Sequence, residues 1–227
     1  ILVALGLTCL LCFAGGTIAL AQPTQSAPAL TDTIVAVVPP RSIEDIKKDS
    51  ERASAQRQQT KQQLARAQEE LSTLENMISL RKKDVSALED YIDGLDADKQ
   101  AKQIAAGKQT LAVLEKLLDL FKLRRSVREA EIESAEATIA LTDAQDKLYS
   151  LEERLATKRD DRATIAKKPG AATELAVIDS AIKELEAKVF DLWEDAIGKQ
   201  KDRASAEKDY LGQIKKLADA QDAFHNP

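Results

Sequence analysis

Residues 64–95 read LARAQEELSTLENMISLRKKDVSALEDYIDGL. Leu64, Ala67, Leu71, Leu74, Ile78, Arg81, Val85, Leu88, Ile92 and Leu95 recur at alternating spacings of three and four. That alternation places all ten on one stripe of a slightly supercoiled helix. Arg81 is the one polar member, and no proline or glycine interrupts the run before Gly94. The stretch therefore predicts a long helix that buries a narrow seam against another helix, an arrangement that needs no globular core.

Upstream, Ser42-Ile43-Glu44-Asp45 follows Pro39-Pro40. Ser42 can cap a helix, and Glu44 and Asp45 bring negative charge to the positive end of its dipole. Between this start and Leu64 the seam is thin, with Ile43, Ile46, Ala53 and Thr60 beside a glutamine-rich stretch. That end is expected to be the looser one. Downstream, Lys99 and Lys102 fall on the next seam positions, so the phase fails after Leu95. Gly94 in a left-handed conformation would end the first helix, and Asp96 would cap the second. The carboxylates of Asp90 and Asp93 count against a helix end here. A hairpin is preferred over one continuous helix with a stutter.

The second helix is expected over residues 97–167. Leu111, Leu114, Leu118 and Phe121 form one stripe and Val113, Leu117, Leu120 and Val127 another, so this segment should touch two neighbours. Lys167-Lys168-Pro169-Gly170 ends it with cations at the negative dipole end and two helix breakers. The third helix, residues 172–223, has a heptad seam through Leu175, Ile178, Ile182, Leu185, Val189, Leu192 and Ala196. With the first helix at residues 42–93, the fold class is all-α: three long helices in an elongated antiparallel coiled coil, folded as a rod-like three-helix bundle. Turns near residues 95–96 and 169–170 would set residues 111–121 beside residues 71–81 and residues 217–224. They would also bring Trp193 level with Leu148 and with residues 43–46.

The N-terminal residues differ in kind. Among residues 1–40 the one charged side chain is Asp32, whereas the chain as a whole is 31% charged with a net charge of −5. Residues 1–21 are apolar and end Ala19-Leu20-Ala21, which fits a cleavable signal peptide; an uncleaved membrane anchor is the alternative. Residues 22–41 read as a Pro/Ser/Thr-rich flexible linker. Thr33-Ile34-Val35-Ala36-Val37-Val38 within it reads as extended linker in preference to a strand added to a partner's sheet. Cys9 and Cys12 both lie in the apolar segment, so the cleaved chain would have no thiol. The expected location is the periplasm, with anchoring to the inner membrane as the alternative.

No catalytic, cofactor or metal site is expected. The single histidine, His225, sits at the extreme C-terminus, far from any convergent set of groups. There is no phosphate-binding glycine loop and no nucleophile elbow. The acidic cluster at Asp93, Asp96 and Asp98 lacks the full spacing of a calcium loop. The acidic balance argues against nucleic acid. Two features remain. Phe190, Trp193 and Ile197 form a second stripe on the third helix and are a candidate partner patch, unless the first helix covers them. Arg125 and Arg128 stand near the level of Glu69 and Glu70 and are candidates for register-fixing ion pairs.

These readings point to a non-enzymatic exported protein acting as spacer, scaffold or adaptor in the bacterial cell envelope. Its partners would be proteins, or further copies engaged through helix seams. A second possibility is a component of an efflux or secretion assembly. The long Ala- and Leu-rich hairpins are similar in architecture to those of outer-membrane ducts and periplasmic adaptors, but no barrel strands or lipoyl module accompany them in this sequence. A third is a periplasmic holdase chaperone, for which the acidic charge is less suited.

Overall fold

The computed structural model describes residues 41–225. The signal-peptide and linker readings fall on residues 1–40, outside the described residues. Three helices account for nearly all of the rest: α1 (Ile43–Asp93), α2 (Ala101–Ile165) and α3 (Ala172–His225). No strand occurs among the described residues.

Helix α1 begins where its cap dictates. Ser42 has extended backbone angles and its hydroxyl accepts from the Asp45 N–H at 3.1 Å. Helix α3 begins after Gly170, whose φ of +81° is the one left-handed glycine among the described residues. This residue lets the chain reverse where a side chain would strain it.

The first turn is built differently from the sequence expectation. Gly94 is right-handed (φ −79°, ψ −6°), not left-handed, and its N–H simply continues the helical pattern onto the Asp90 carbonyl. Asp96 does not cap α2. Its carboxylate accepts from the Asp98 N–H at 3.0 Å and its carbonyl from the Gln100 N–H at 2.8 Å. These bonds close a separate turn over residues 97–99, so α2 starts at Ala101, four residues later than expected. The local hydrogen bonds of an aspartate compete with helix at such a position.

The extra turn resets the register. Gly107 packs against Ile92, Arg125 reaches Glu75 and Arg57 reaches Asp143. Residues 111–121 therefore lie about one heptad further along α1 than residues 71–81. The second turn sets α3 at the expected level: Lys116 and Leu120 share a groove with Ala220 and Phe224, and Leu148 packs in one cluster with Val189.

Both hairpins share α2. α1 packs on α2 and α2 packs on α3, whereas the backbones of α1 and α3 do not approach one another. The bundle is thus open, with α2 in the middle. A closed triangular bundle, in which Trp193 would meet the start of α1, does not form. Where both neighbours flank it, α2 is best buried: Leu118, Val127, Leu141, Thr142, Leu148 and Leu155 are all inside.

The start of α1, expected to be loose, is the tighter end. Ile46 is 1% exposed, and Ala53, Thr60 and Ala67 follow it at heptad spacing, all buried. Small side chains let helices approach closely and are then wholly covered. The Thr60, Thr138 and Thr142 hydroxyls donate to carbonyls of their own helices at 2.9 Å, so no buried side-chain polar atom among the described residues lacks a partner. The leucine-rich part of the seam is buried less completely: Ile78 and Ile92 are inside, whereas Leu64, Leu71, Leu74 and Leu88 are half-buried. Met77, Leu80 and Tyr91 of α1, off the seam, and Val113 of α2 are exposed.

Candidate interaction surface

The basic group on α2 is taken up internally. Lys122 pairs with Asp119 at 2.8 Å, and the Arg124 guanidinium lies over the Phe121 ring, 5.8 Å from its centroid. Arg125 pairs with Glu129 of its own helix at 2.8 Å and approaches Glu75 of α1 at 3.8 Å. Arg128 bonds Glu70 of α1 at 2.7 Å and also Glu131. Glu69 is exposed, and its carbonyl accepts from the Thr73 hydroxyl. Burial works against the Arg128 charge, but Glu131 and Glu70 outweigh it and hold the guanidinium above its usual pKa. Tyr210 of α3 lies close enough to feel Arg128 and Glu131; burial, with Glu131 adding, raises its phenol.

A second polar cluster ties the start of α1 to α2. Arg41 bonds Glu152 at 2.7 Å and Asp49, and stands over the Tyr149 ring at 5.6 Å. Burial raises the Glu152 carboxyl above its usual value, opposed by Arg41. Near the second turn Arg162 pairs with Asp179, and Arg159 with Glu186 at 2.8 Å.

These pairs show which way each helix faces. Residues seven apart stack in a column along a helix whose seam keeps heptad register. Arg41 joins Asp49 of α1 to Glu152 of α2, Arg128 joins Glu70 to Glu131, and Arg159 joins α2 to Glu186 of α3. On α1, Asp49 and Glu70 share a column with Met77 and Tyr91. On α3, Glu186 shares one with Trp193 and Ile214. The exposed apolar rows of α1 and α3 therefore lie on the same side of the three-helix layer.

The α3 row is the longer. Phe190 and Trp193 stack with ring centroids 6.3 Å apart and planes tilted by 32°. Trp193 is 51% exposed and Leu211 58%; Phe190 and Ile214 are at the edge of exposure, and Ile197 is half-buried. The α1 backbone does not approach α3, and the described chain leaves this row largely uncovered. The sequence pointed to Phe190, Trp193 and Ile197 but not to the continuation at Leu211 and Ile214. The signal was present as the same three-and-four spacing, masked by the polar Gln200 and Glu207 in between.

His225 ends α3 with its ring edge-on to Phe224 at 5.6 Å. Among the described residues no cluster of His, Cys, Asp or Glu has the geometry to hold a metal ion, and no helix is long and apolar enough to cross a membrane. Compared with known proteins, the chain matches no family model, no curated protein and no solved structure.

Proposed function

We propose that this chain is a non-enzymatic, exported spacer or adaptor of the bacterial cell envelope, whose helices form an antiparallel coiled coil and whose α3 offers the surface for another protein. The observation that carries the reading is the largely uncovered apolar row of α3. A large aromatic pair on an exposed helix face has a hydrophobic cost that a partner would remove, and Trp and Tyr dominate such contacts. The apolar segment at residues 1–21 supports export, and the polar, charge-laced outer faces suit an aqueous compartment.

The test is a photo-reactive amino acid placed in the full chain at Trp193, or at Ser205 on the far face of α3, and irradiated in living cells. Adducts at Trp193 and none at Ser205 are the expected outcome. Equal labelling at both positions, or none at either, would remove the adaptor reading. Fractionation of the same cells checks the compartment: recovery in the cytoplasm at full length counts against export.

One observation favours a second reading, a component of an efflux or secretion assembly. Beyond the end of α3 the α1–α2 hairpin continues as two helices, with Val113 exposed where α3 ends and Tyr91 exposed toward the tip. Such a tip suits insertion between the helices of an assembly. Adducts from a photo-reactive group at Tyr91, and none at Trp193, would select it.

A further inference from the structure

The order of residues along the α3 row limits what can cover it. Read from the N-terminal end, it runs Phe190, Trp193, Ile197, Gln200, then Ala204, Glu207, Leu211 and Ile214. Large apolar groups hold both ends and polar or small ones the middle. Apart from Ile197 and Glu207, a row of this kind matches itself when reversed. In an antiparallel helix pair each three-spaced position meets a four-spaced position of the neighbour. Setting Phe190 against Ile214 of a second copy also sets Trp193 against the second copy's Leu211. Ile197 then meets the second copy's Glu207, a contact that opposes the pairing, and Gln200 meets Ala204 near the two-fold axis. Each contact occurs twice, as a two-fold interface requires.

Charge supports the same direction. Glu194 flanks the row on one edge, with Lys201, Lys208 and Lys215 at heptad spacing beyond it. Reversed pairing brings Glu194 beside Lys208 of the second copy, twice over, and Lys201 within reach of the second copy's Glu207. Parallel pairing instead stacks Glu207 on its own counterpart, a repulsive contact. Lys201 also faces its own counterpart across the reversed axis, which opposes the pairing in part.

We infer that α3 binds α3 of a second copy of this chain, antiparallel, with the two-fold axis near residue 202. The inference rests on the proposed role of α3 as an interaction surface and names its partner. The row from Phe190 to Ile214 is about 37 Å long at ~1.5 Å per residue, and a helix presents a strip on the order of 10 Å wide. About 400 Å² per copy places the pair among weak, reversible associations rather than permanent dimers. The pair should therefore form and dissociate with concentration.

The experiment uses the full chain with Cys9→Ser and Cys12→Ser, so that new cysteines are the sole thiols. Glu194→Cys and Lys208→Cys are made singly and together. Both positions are exposed, so folding should survive, and helix content by circular dichroism checks it. Under mild oxidation the double variant should form a linked dimer at least tenfold more readily than either single variant. Adding Leu211→Glu should lower that yield at least tenfold. Separately, Glu194→Lys should weaken the concentration-dependent blue shift of the one tryptophan's fluorescence, and Lys208→Glu added to it should restore the shift. Efficient linking by each single variant would show a parallel pair and overturn the inference. So would a double variant that stays monomeric. If that monomer is accompanied by adducts to a different protein at Trp193 in cells, the adaptor role stands and self-pairing falls; without such adducts both fall.

Discussion

Ile46 and Leu80 have similar volumes and occupy the same helix, yet their surroundings differ as much as two side chains can. Ile46 is 1% exposed and Leu80 61%. Leu80 lies off the seam; on the seam itself the sequence predicts a looser start of α1, yet Ile46 is buried at least as deeply as Ile78 and Ile92, at 7% exposed each. Burial follows helix approach as well as residue size, and small residues at Ala53, Thr60 and Ala67 permit a close approach. Ile46→Ala should therefore cost about 2–5 kcal/mol, toward the lower end because a helix start can relax into the space. Leu80→Ala should change stability by less than about 0.5 kcal/mol. Urea denaturation of the two variants measures the difference. Equal losses would mean that the start of α1 is not held against α2 as described.

At the scale of elements, the three helices were legible because long helices leave redundant marks: a seam, a cap and a breaker. The turns were legible only in part. Pro169-Gly170 stops α2 by stereochemistry, which is written in the residue types. The first turn rests on hydrogen bonds among Asp96, Asp98 and Gln100, which heptad counting does not register. The register of α1 against α2 was displaced by that omission, while the register of α3 was not. The partner row on α3 was half-legible for a related reason: a seam with polar members reads as a seam that has ended. The turns make a direct prediction. Gly170→Ala forces a side chain into a left-handed conformation with φ +81° and should destabilise by about 1–2 kcal/mol. Gly94 is right-handed with only ordinary contacts around an added Cβ, so Gly94→Ala should be neutral or stabilise by up to about 1 kcal/mol. Thermal unfolding of both variants would show it, and a large loss from Gly94→Ala would restore the left-handed turn that the sequence suggested.

Over the three helices together, stability is distributed by how many neighbours each level of α2 has. Between about residues 118 and 155 it is flanked by α1 on one side and α3 on the other, and every buried residue of α2 lies in this span. Past the end of α3 it has α1 alone, and Tyr91 of α1 is exposed there. Because the backbones of α1 and α3 do not approach one another, neither braces the other, and the α1–α2 tip can open without disturbing the α2–α3 cluster of Ala144, Leu148, Leu155, Ile182, Val189 and Ala196. Local opening free energies follow such differences in buried contact. Hydrogen exchange followed by mass spectrometry should find the slowest amides in residues 118–155 and in the facing part of α3 around Val189. Residues 86–93 and 101–112 should exchange markedly faster, by a factor of ten or more. If the tip were protected as strongly as the middle, a further element would have to cover Tyr91. The most direct source would then be association at the hairpin tip, which a rise in tip protection with protein concentration would reveal.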